Sequence, residues 1–251
     1  ATGGRTADWV RDEIRRCKTL TDKPFGINLM LMAPNIEEIK KVVCEEKVAF
    51  ATLGAGNPVP HIKELQAAGI KVIPVIPNLK LAQRVAAAGA DAIVIEGMEA
   101  GGHIGKQTTM SLMENILGQV TDIPVLVAGG IVDGRGLAAA LLMGAAGVQM
   151  GSRFMVSEEC PIHPRAKEAV IKATDTDSVT TGYSRNLGVR CLKNAFTTAY
   201  DAKEIAGAPN SELMQMATGT NKLGLVDGDI YNGEVMCTQA LVPLKEVLPC
   251  K

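Results

Sequence analysis

The sequence contains few aromatic residues and no excess of charge of either sign. Aromatics make up 3% of the 251 residues, and the formal net charge is −1. Proteins that bind nucleic acids neutralise phosphates with basic residues and stack bases on aromatic rings. The composition therefore argues against nucleic acid as a partner, and equally against an anionic membrane surface.

The chain also lacks a membrane-length apolar run, an N-terminal signal segment and any C-x-x-C pair. Its six cysteines are widely spread, and no histidine stands at metal-ligand spacing from them. They are Cys17, Cys44, Cys160, Cys191, Cys237 and Cys250. This usage predicts reduced structural or surface thiols in a cytoplasmic protein, with no metal site.

Short apolar runs alternate with helix-like stretches through the first 150 residues. The runs occupy 25–31, 48–52, 71–76, 92–96, 124–128 and 147–150. They are apolar almost throughout, which is typical of parallel strands covered on both faces. Amphipathic stretches predict helices at 7–18, 35–46, 61–68, 79–88, 110–120, 136–143 and 161–173. Such alternation leaves two candidates, an eight-stranded barrel and an open doubly wound sheet.

Glycines at the carboxyl ends of successive strands favour the barrel. They include Gly54, Gly97, Gly129 and Gly151, at the end where barrels carry their active sites. No G-x-G-x-x-G follows the first strand, as a Rossmann domain would require. The prediction is a single TIM (β/α)8-type barrel domain over residues 1–251. Only six strands can be counted, so the first two strands of an eight-stranded barrel are missing. Gly3-Gly4 is interpreted as the end of another strand. Residues 155–251 form a C-terminal extension of helices and loops that packs on the barrel.

Two of these strand ends predict a phosphate site. Gly129 and Gly130 follow one strand, and Gly151 and Ser152 follow the next. Phosphate-binding barrels use such loops with a helix N-terminus, here after Asp133, because a phosphate oxygen must reach backbone N–H groups that a Cβ would obstruct. Two ordinary glycine turns are the alternative interpretation.

His103 is the histidine best placed for catalysis. It follows Gly101 and Gly102 in a long glycine-rich loop after the fourth strand. An imidazole there can donate a hydrogen bond to a carbonyl or nitro oxygen, or move a proton near neutral pH. A structural histidine that fixes the loop is the alternative. His61 and His163 are interpreted as surface or cap residues.

Asn28 is a polar amide inside an apolar strand. A buried amide is costly unless it is hydrogen-bonded. It is therefore either a satisfied residue of the barrel interior or a donor and acceptor for a cofactor ring.

Three segments together resemble the nitronate monooxygenase and enoyl-acyl-carrier-protein reductase II superfamily. They are EAGGHIGK (99–106), AGGIVDG (128–134) and VQMGSRF (148–154). DKPFGINLM (22–30), the TTM after the histidine loop (108–110) and the later GD and GEVM (228–229, 233–236) are more similar to the reductase branch.

The resemblance implies an FMN-binding barrel. The implied FMN contacts are Asn28, Gly102, Gly129, Gly130, Gln149, Met150, Gly151 and Ser152, and His103 is the implied active-site histidine. The implied reaction is FMN-dependent reduction of trans-2-enoyl thioesters on acyl carrier protein, with NADH or NADPH, in fatty-acid synthesis. His103 would stabilise enolate charge on the thioester oxygen or help to protonate the α-carbon.

The chain departs from this family at its ends. An N-terminal strand with its glycine-rich turn and a second strand are missing, and family members continue past Lys251, so truncation is expected; the first residue, Ala1, agrees with a fragment or a processed form. Nitronate monooxygenase, with oxygen as acceptor, is the runner-up function. A non-catalytic remnant and a barrel for another phosphorylated substrate are the remaining alternatives. The apolar C-terminal region favours a homodimer.

Overall fold

The computed structural model describes residues 2–250, which divide into two compact units. The first unit contains residues 2–95 and 113–126, and the second contains residues 96–112 and 127–250. None of the helices in this described stretch is both long and apolar enough to cross a membrane.

The secondary structure alternates between helices and short strands. The helices are α1 (Ala7–Leu20), α2 (Ile36–Glu45), α3 (Val59–Ala67), α4 (Leu79–Ala87), α5 (Thr109–Ile116), α6 (Gly134–Leu142), α7 (Ser152–Met155), α8 (Pro164–Lys172), α9 (Ala195–Ile205), α10 (Asn210–Ala217) and α11 (Thr220–Leu225), with a 3-10 turn at Tyr183–Arg185. The strands are β1 (Gly26–Met30), β2 (Phe50–Gly54), β3 (Lys71–Ile76), β4 (Ile93–Glu96), β5 (Gly102–His103), β6 (Val125–Ala128), β7 (Gly147–Gln149), β8 (Ser178–Thr181) and β9 (Val189–Leu192).

Six of the strands form a parallel sheet in the order β1-β2-β3-β4-β6-β7. Each parallel strand is followed by at least one helix before the next parallel strand begins. This arrangement confirms the predicted α/β fold of the TIM-barrel type, with six parallel strands among residues 2–250.

The two faces of the sheet in the first unit differ in burial. Asn28 lies opposite Thr52, and Thr52 lies opposite Ile73, so these side chains share one face because side chains alternate along a strand. That face is only half-buried. Leu29 and Leu53 lie on the other face and are 0% exposed. These strands are therefore fully buried on one face and partly exposed on the other.

The second unit contains an antiparallel sheet that the sequence did not predict. Its strand order is β5-β9-β8, and Val189 lies opposite both His103 and Thr181. A buried apolar cluster of the same unit contains Val156, Val170, Leu192 of β9 and residues of the C-terminal segment. The sheet converts part of the predicted histidine loop into a paired strand.

Most predicted elements match to within a few residues, and three need correction. Gly3-Gly4 form a turn instead of the end of a strand, although the Thr2 N–H donates to the Asn28 carbonyl at 3.2 Å. The helix predicted at 110–120 ends at Ile116. The helix predicted at 161–173 begins at Pro164, where His163 accepts the Arg165 N–H as the helix N-cap, which confirms the cap role of that histidine.

Candidate active site

The histidine loop, defined here as residues 97–108 after β4, is held by backbone hydrogen bonds of the second unit. The Gly97 N–H donates to the Ala128 carbonyl at 3.0 Å, and the Met98 N–H donates to the Gln107 carbonyl at 2.8 Å. The Met98 carbonyl also accepts from the guanidinium of buried Arg190 at 2.8 Å. The loop is therefore fixed at its base, at the carboxyl end of β4.

Thr109 joins the histidine loop to the turn after β6. Its hydroxyl lies 2.9 Å from both a Glu99 carboxylate oxygen and the Gly129 carbonyl, and its N–H also donates to the Glu99 carboxylate. Gly129 has φ +98, and a Cβ there would lie 2.8 Å from the Gly97 carbonyl oxygen. The two backbones are in contact, so only glycine fits at Gly129.

Thr238 joins the same loop to the turn after β7. Its hydroxyl donates to the Glu99 carbonyl at 2.8 Å, and its N–H donates to the Ser152 hydroxyl oxygen at 2.8 Å. Ser152 is 6% exposed. The second unit thus brings both predicted phosphate loops, at Gly129 and at Ser152, into one hydrogen-bonded network centred on Glu99.

This network predicts a stability effect at Thr109. Thr109→Val keeps the side-chain shape but removes the hydroxyl, so the Gly129 carbonyl and one Glu99 carboxylate oxygen lose their contact with it, while the backbone N–H of residue 109 still donates to the Glu99 carboxylate. We expect the free energy of unfolding to fall by about 1–3 kcal/mol, measured by urea denaturation.

The matched control is Thr198→Val. The Thr198 hydroxyl donates to the Asn194 carbonyl at 2.9 Å but lies on the exposed surface of α9, so its loss should change the free energy of unfolding by less than about 0.5 kcal/mol. Equal changes in the two variants would show that the Glu99 network does not stabilise the site.

His103 is held on a strand and its ring remains available. β5 pairs with β9, and the Ile104 N–H donates to the Gly188 carbonyl at 3.0 Å. The His103 imidazole makes no hydrogen bond with any side chain or backbone group of residues 2–250. The ring is exposed on one side, while burial of the rest lowers its pKa below the ordinary 6.5. The imidazole is therefore neutral at pH 7.

Fewer backbone N–H groups are available to bind an anion than the sequence predicts. The N-terminus of α6 is already occupied, because the Asp133 carboxylate accepts the N–H groups of Arg135 and Gly136. The space over Gly151 is open, since a Cβ there would meet no protein atom within 4 Å. Gly130 has φ +71, and a Cβ there would lie 3.2 Å from the Glu99 Cβ, so the Glu99 side chain occupies that space.

The remaining predicted contacts are distributed between the units. Gln149 and Met150 lie half-buried at the end of β7, and the Gln149 amide has no hydrogen-bond partner among the described residues. Gly102 is buried, with φ +82. Asn28 belongs to the first unit, where its Nδ2 donates to the Thr52 hydroxyl at 3.0 Å. The structure thus groups eight of the nine predicted site residues in the second unit.

The cysteines offer no nucleophile near this network. Cys191 and Cys237 are fully buried, and burial raises the pKa of both thiols. A buried neutral thiol is inert as a nucleophile. Within residues 2–250, no group of three or more His, Cys, Asp or Glu side chains is arranged to hold a metal ion.

Comparison with known proteins identifies the family. A family model described as nitronate monooxygenase matches residues 35–251. The chain belongs to the nitronate monooxygenase family. Among solved structures, FabK from Thermotoga maritima is similar to this chain. The two sequences are 42% identical, and the match has a TM-score of 0.94 and covers 99% of this chain and 79% of the FabK chain.

Two curated relatives have different names. A (3aS,4S,5R,7aS)-5-hydroxy-7a-methyl-1-oxo-octahydro-1H-indene-4-carboxyl-CoA dehydrogenase of Rhodococcus jostii is 33% identical, over 100% of this chain and 81% of the relative. A nitronate monooxygenase of Paraburkholderia phytofirmans is 33% identical, over 78% of this chain and 66% of the relative. Since the chain spans about two thirds of the latter, the activity of a whole family member is a matter of proposal.

Sequence patterns do not identify the residues that hold the candidate site together. In the sequence, Glu99 and Thr109 stand out only as members of longer motifs, and no pattern distinguishes Thr238. A carboxylate ten residues before a threonine does not by itself indicate that the two residues are hydrogen-bonded. The link between Thr238 and Glu99 spans 139 positions and depends on tertiary structure alone.

Proposed function

We propose that the chain is an FMN-dependent reductase of trans-2-enoyl thioesters that uses NADH or NADPH. The observation that carries this proposal is its 42% identity to FabK, an enoyl-acyl-carrier-protein reductase II, over nearly the whole chain. The name of the Rhodococcus relative also describes a thioester, a carboxyl-CoA. An enoyl chain on acyl carrier protein is the proposed substrate, and a homodimer stays a prediction.

The second unit offers groups suited to FMN. A backbone N–H group beside Gly151 can receive the phosphate, because the space that a Cβ would fill there holds no protein atom within 4 Å. The unpaired Gln149 amide can donate to or accept from a polar group of the cofactor. FMN, when bound, supplies the hydride-transfer chemistry between the nicotinamide donor and the enoyl thioester.

His103 has the chemistry needed at the substrate carbonyl. Reduction of the β-carbon develops enolate charge on the thioester oxygen, and a neutral imidazole N–H can donate a hydrogen bond to that oxygen. A donor fixed before the reaction stabilises such charge without reorganisation. The pairing of β5 with β9 provides that fixation at His103.

Substrate-dependent NADH oxidation tests this proposal. FMN-loaded protein should oxidise NADH or NADPH when a crotonyl thioester is added and should yield the saturated butyryl thioester. A rate with crotonyl thioester equal to the background rate with oxygen alone would exclude enoyl reduction.

The second candidate is nitronate oxidation, which the family model and the Paraburkholderia relative favour. In that reaction the nitronate is the reductant and oxygen the acceptor, and the neutral His103 would face a nitro oxygen. Consumption of propionate-3-nitronate without NADH, in protein that is inactive with crotonyl thioester, would replace the first proposal by this one.

A further inference from the structure

Arg190 is a buried cation in β9, the strand that pairs with the strand of His103. It is 5% exposed. Its guanidinium donates from Nε to the Met98 carbonyl at 2.8 Å and from Nη1 to the Ser178 hydroxyl oxygen at 3.1 Å, and both of these partners are neutral. Burial of a charged group is costly, and an apolar side chain of similar size would avoid that cost. Packing alone therefore does not account for an arginine at this position.

The strand register places Arg190 on the face of the antiparallel sheet that is opposite to His103. Arg190 lies across from Gly102 of β5, and the neighbouring pair is Val189 with His103. Because side chains alternate along a strand, the guanidinium and the imidazole leave the sheet on different sides. Gly102 has no side chain, which leaves its side of β5 to Arg190. Arg190 therefore supports the histidine loop from the side away from the imidazole.

Strand β9 holds both ends of the segment 98–103. The Arg190 side chain binds the Met98 carbonyl at the start of this segment, and backbone pairing with β9 holds Gly102 and His103 at its end. Desolvation lowers the pKa of Arg190, an effect that the nearby Glu99 carboxylate partly offsets. An arginine nevertheless stays protonated in a protein. The contact with Met98 is therefore present at every pH at which the protein is folded.

We propose that Arg190 is a positioning residue for His103. By holding the Met98 carbonyl, Arg190 fixes the start of the segment whose end carries the imidazole. The kinetic part of this inference rests on the proposed function, in which the imidazole donates to the thioester oxygen. A donor that is displaced by about 1 Å can lower a rate about 100-fold. Loss of the guanidinium should therefore slow the reaction although no group that touches the substrate is removed.

A double-mutant cycle with His103 tests whether Arg190 acts through the imidazole. Arg190→Met keeps a long apolar stem but donates no hydrogen bond. We expect it to lower kcat for crotonyl-thioester reduction about 10- to 100-fold, with KM within about threefold of wild type. In the His103→Ala background the same replacement should change kcat by less than about twofold. Arg190→Lys should recover part of the loss, because its ammonium can still donate to the Met98 carbonyl.

Amide hydrogen exchange provides a readout that does not depend on activity. The N–H groups of Met98 and Ile104 are both hydrogen-bonded to backbone carbonyls, so their exchange rates report opening of the histidine loop. We expect both to exchange about tenfold faster in Arg190→Met than in wild type. The Leu31 N–H, which is hydrogen-bonded within the first unit, should exchange at the wild-type rate.

Arg185→Met is the matched control. Arg185 also belongs to the second unit, and its guanidinium also donates to a backbone carbonyl, that of Ala208 at 3.4 Å. This contact does not involve the segment 98–103. The variant should therefore retain the wild-type kcat and the wild-type exchange rates at Met98 and Ile104.

Three results would overturn the positioning role. They are an unchanged kcat in Arg190→Met, an equal loss of kcat in the wild-type and His103→Ala backgrounds, and unchanged exchange at Met98. If Arg190→Met does not fold, Arg190→Lys takes its place in the cycle, with an expected loss of about 3- to 10-fold that should again vanish in His103→Ala. Wild-type protein that reduces no crotonyl thioester refutes the proposed function, and the exchange rates then decide the positioning role alone.

Discussion

Replacement of His103 by alanine is expected to lower kcat for enoyl-thioester reduction roughly 100- to 1,000-fold while FMN stays bound. The reason is that the neutral imidazole is the donor proposed for the enolate oxygen, and its loss removes stabilisation that exists only when charge develops. The ring makes no hydrogen bond with residues 2–250 and is exposed on one side. Truncation should therefore leave the thermal unfolding midpoint nearly unchanged.

The measurement is steady-state kinetics with crotonyl thioester, together with the flavin content of each preparation. His61→Ala is the matched control, because His61 lies in α3 of the first unit with its Nδ1 3.2 Å from the Lys40 ammonium. It should retain wild-type kcat. A wild-type kcat in His103→Ala would remove His103 from the chemistry. A rise in KM at constant kcat would assign it to substrate binding instead.

The pH dependence of the rate provides a further test of His103. Its pKa lies below 6.5 because burial disfavours the charged form. The imidazole therefore gains its proton only as the pH falls below that value, and it stays neutral between pH 7 and 8. The change in kcat that protonation of His103 causes at low pH should be absent from His103→Ala. An acid-side change that persists in the variant would belong to another residue.

Replacement of Gly151 by alanine is expected to weaken FMN binding roughly 10- to 100-fold, as the loss of one or two charge-assisted hydrogen bonds would. A Cβ at Gly151 meets no protein atom within 4 Å, so the folded chain can accept it. The same methyl group would occupy the space through which a phosphate oxygen must approach the backbone N–H groups. We expect the FMN affinity to change and the fold to persist. The free energy of unfolding should fall by at most about 1 kcal/mol, because Gly151 precedes the first turn of α7.

Riboflavin supplies the internal comparison for Gly151→Ala. Because riboflavin has no phosphate, its affinity should be the same in the variant and in wild type. Gly118→Ala is the control for a glycine in open space away from the proposed site, since a Cβ there also meets no atom within 4 Å. It should bind FMN normally. Unchanged FMN affinity in Gly151→Ala, or equal weakening of riboflavin, would show that the phosphate does not lie over this residue.

The parallel strands could be predicted because their burial leaves a strong sequence signal. The run at 71–76 coincides with β3, and the run at 92–96 differs from β4 by one residue. Apolar residues on both faces of a strand are rare outside parallel sheets. The glycines at strand ends could also be predicted as functionally placed. Where two backbones approach as closely as Gly97 and Gly129 do, a residue with a side chain does not fit.

The antiparallel sheet that holds His103 could not be predicted in the same way. β5 has two residues, and β8 (SVTT) and β9 (VRCL) have four each, with little apolar periodicity. Their pairing joins segments almost 90 residues apart, and sequence patterns within a window do not report such contacts.

Whether the chain is a flavoprotein is tested by the absorbance spectrum of the purified chain after FMN is added and unbound flavin is removed. We expect oxidised-flavin bands that survive desalting, with FMN and the chain in equimolar amounts. A colourless protein after the same treatment, at concentrations where its fold is intact by circular dichroism, would contradict it.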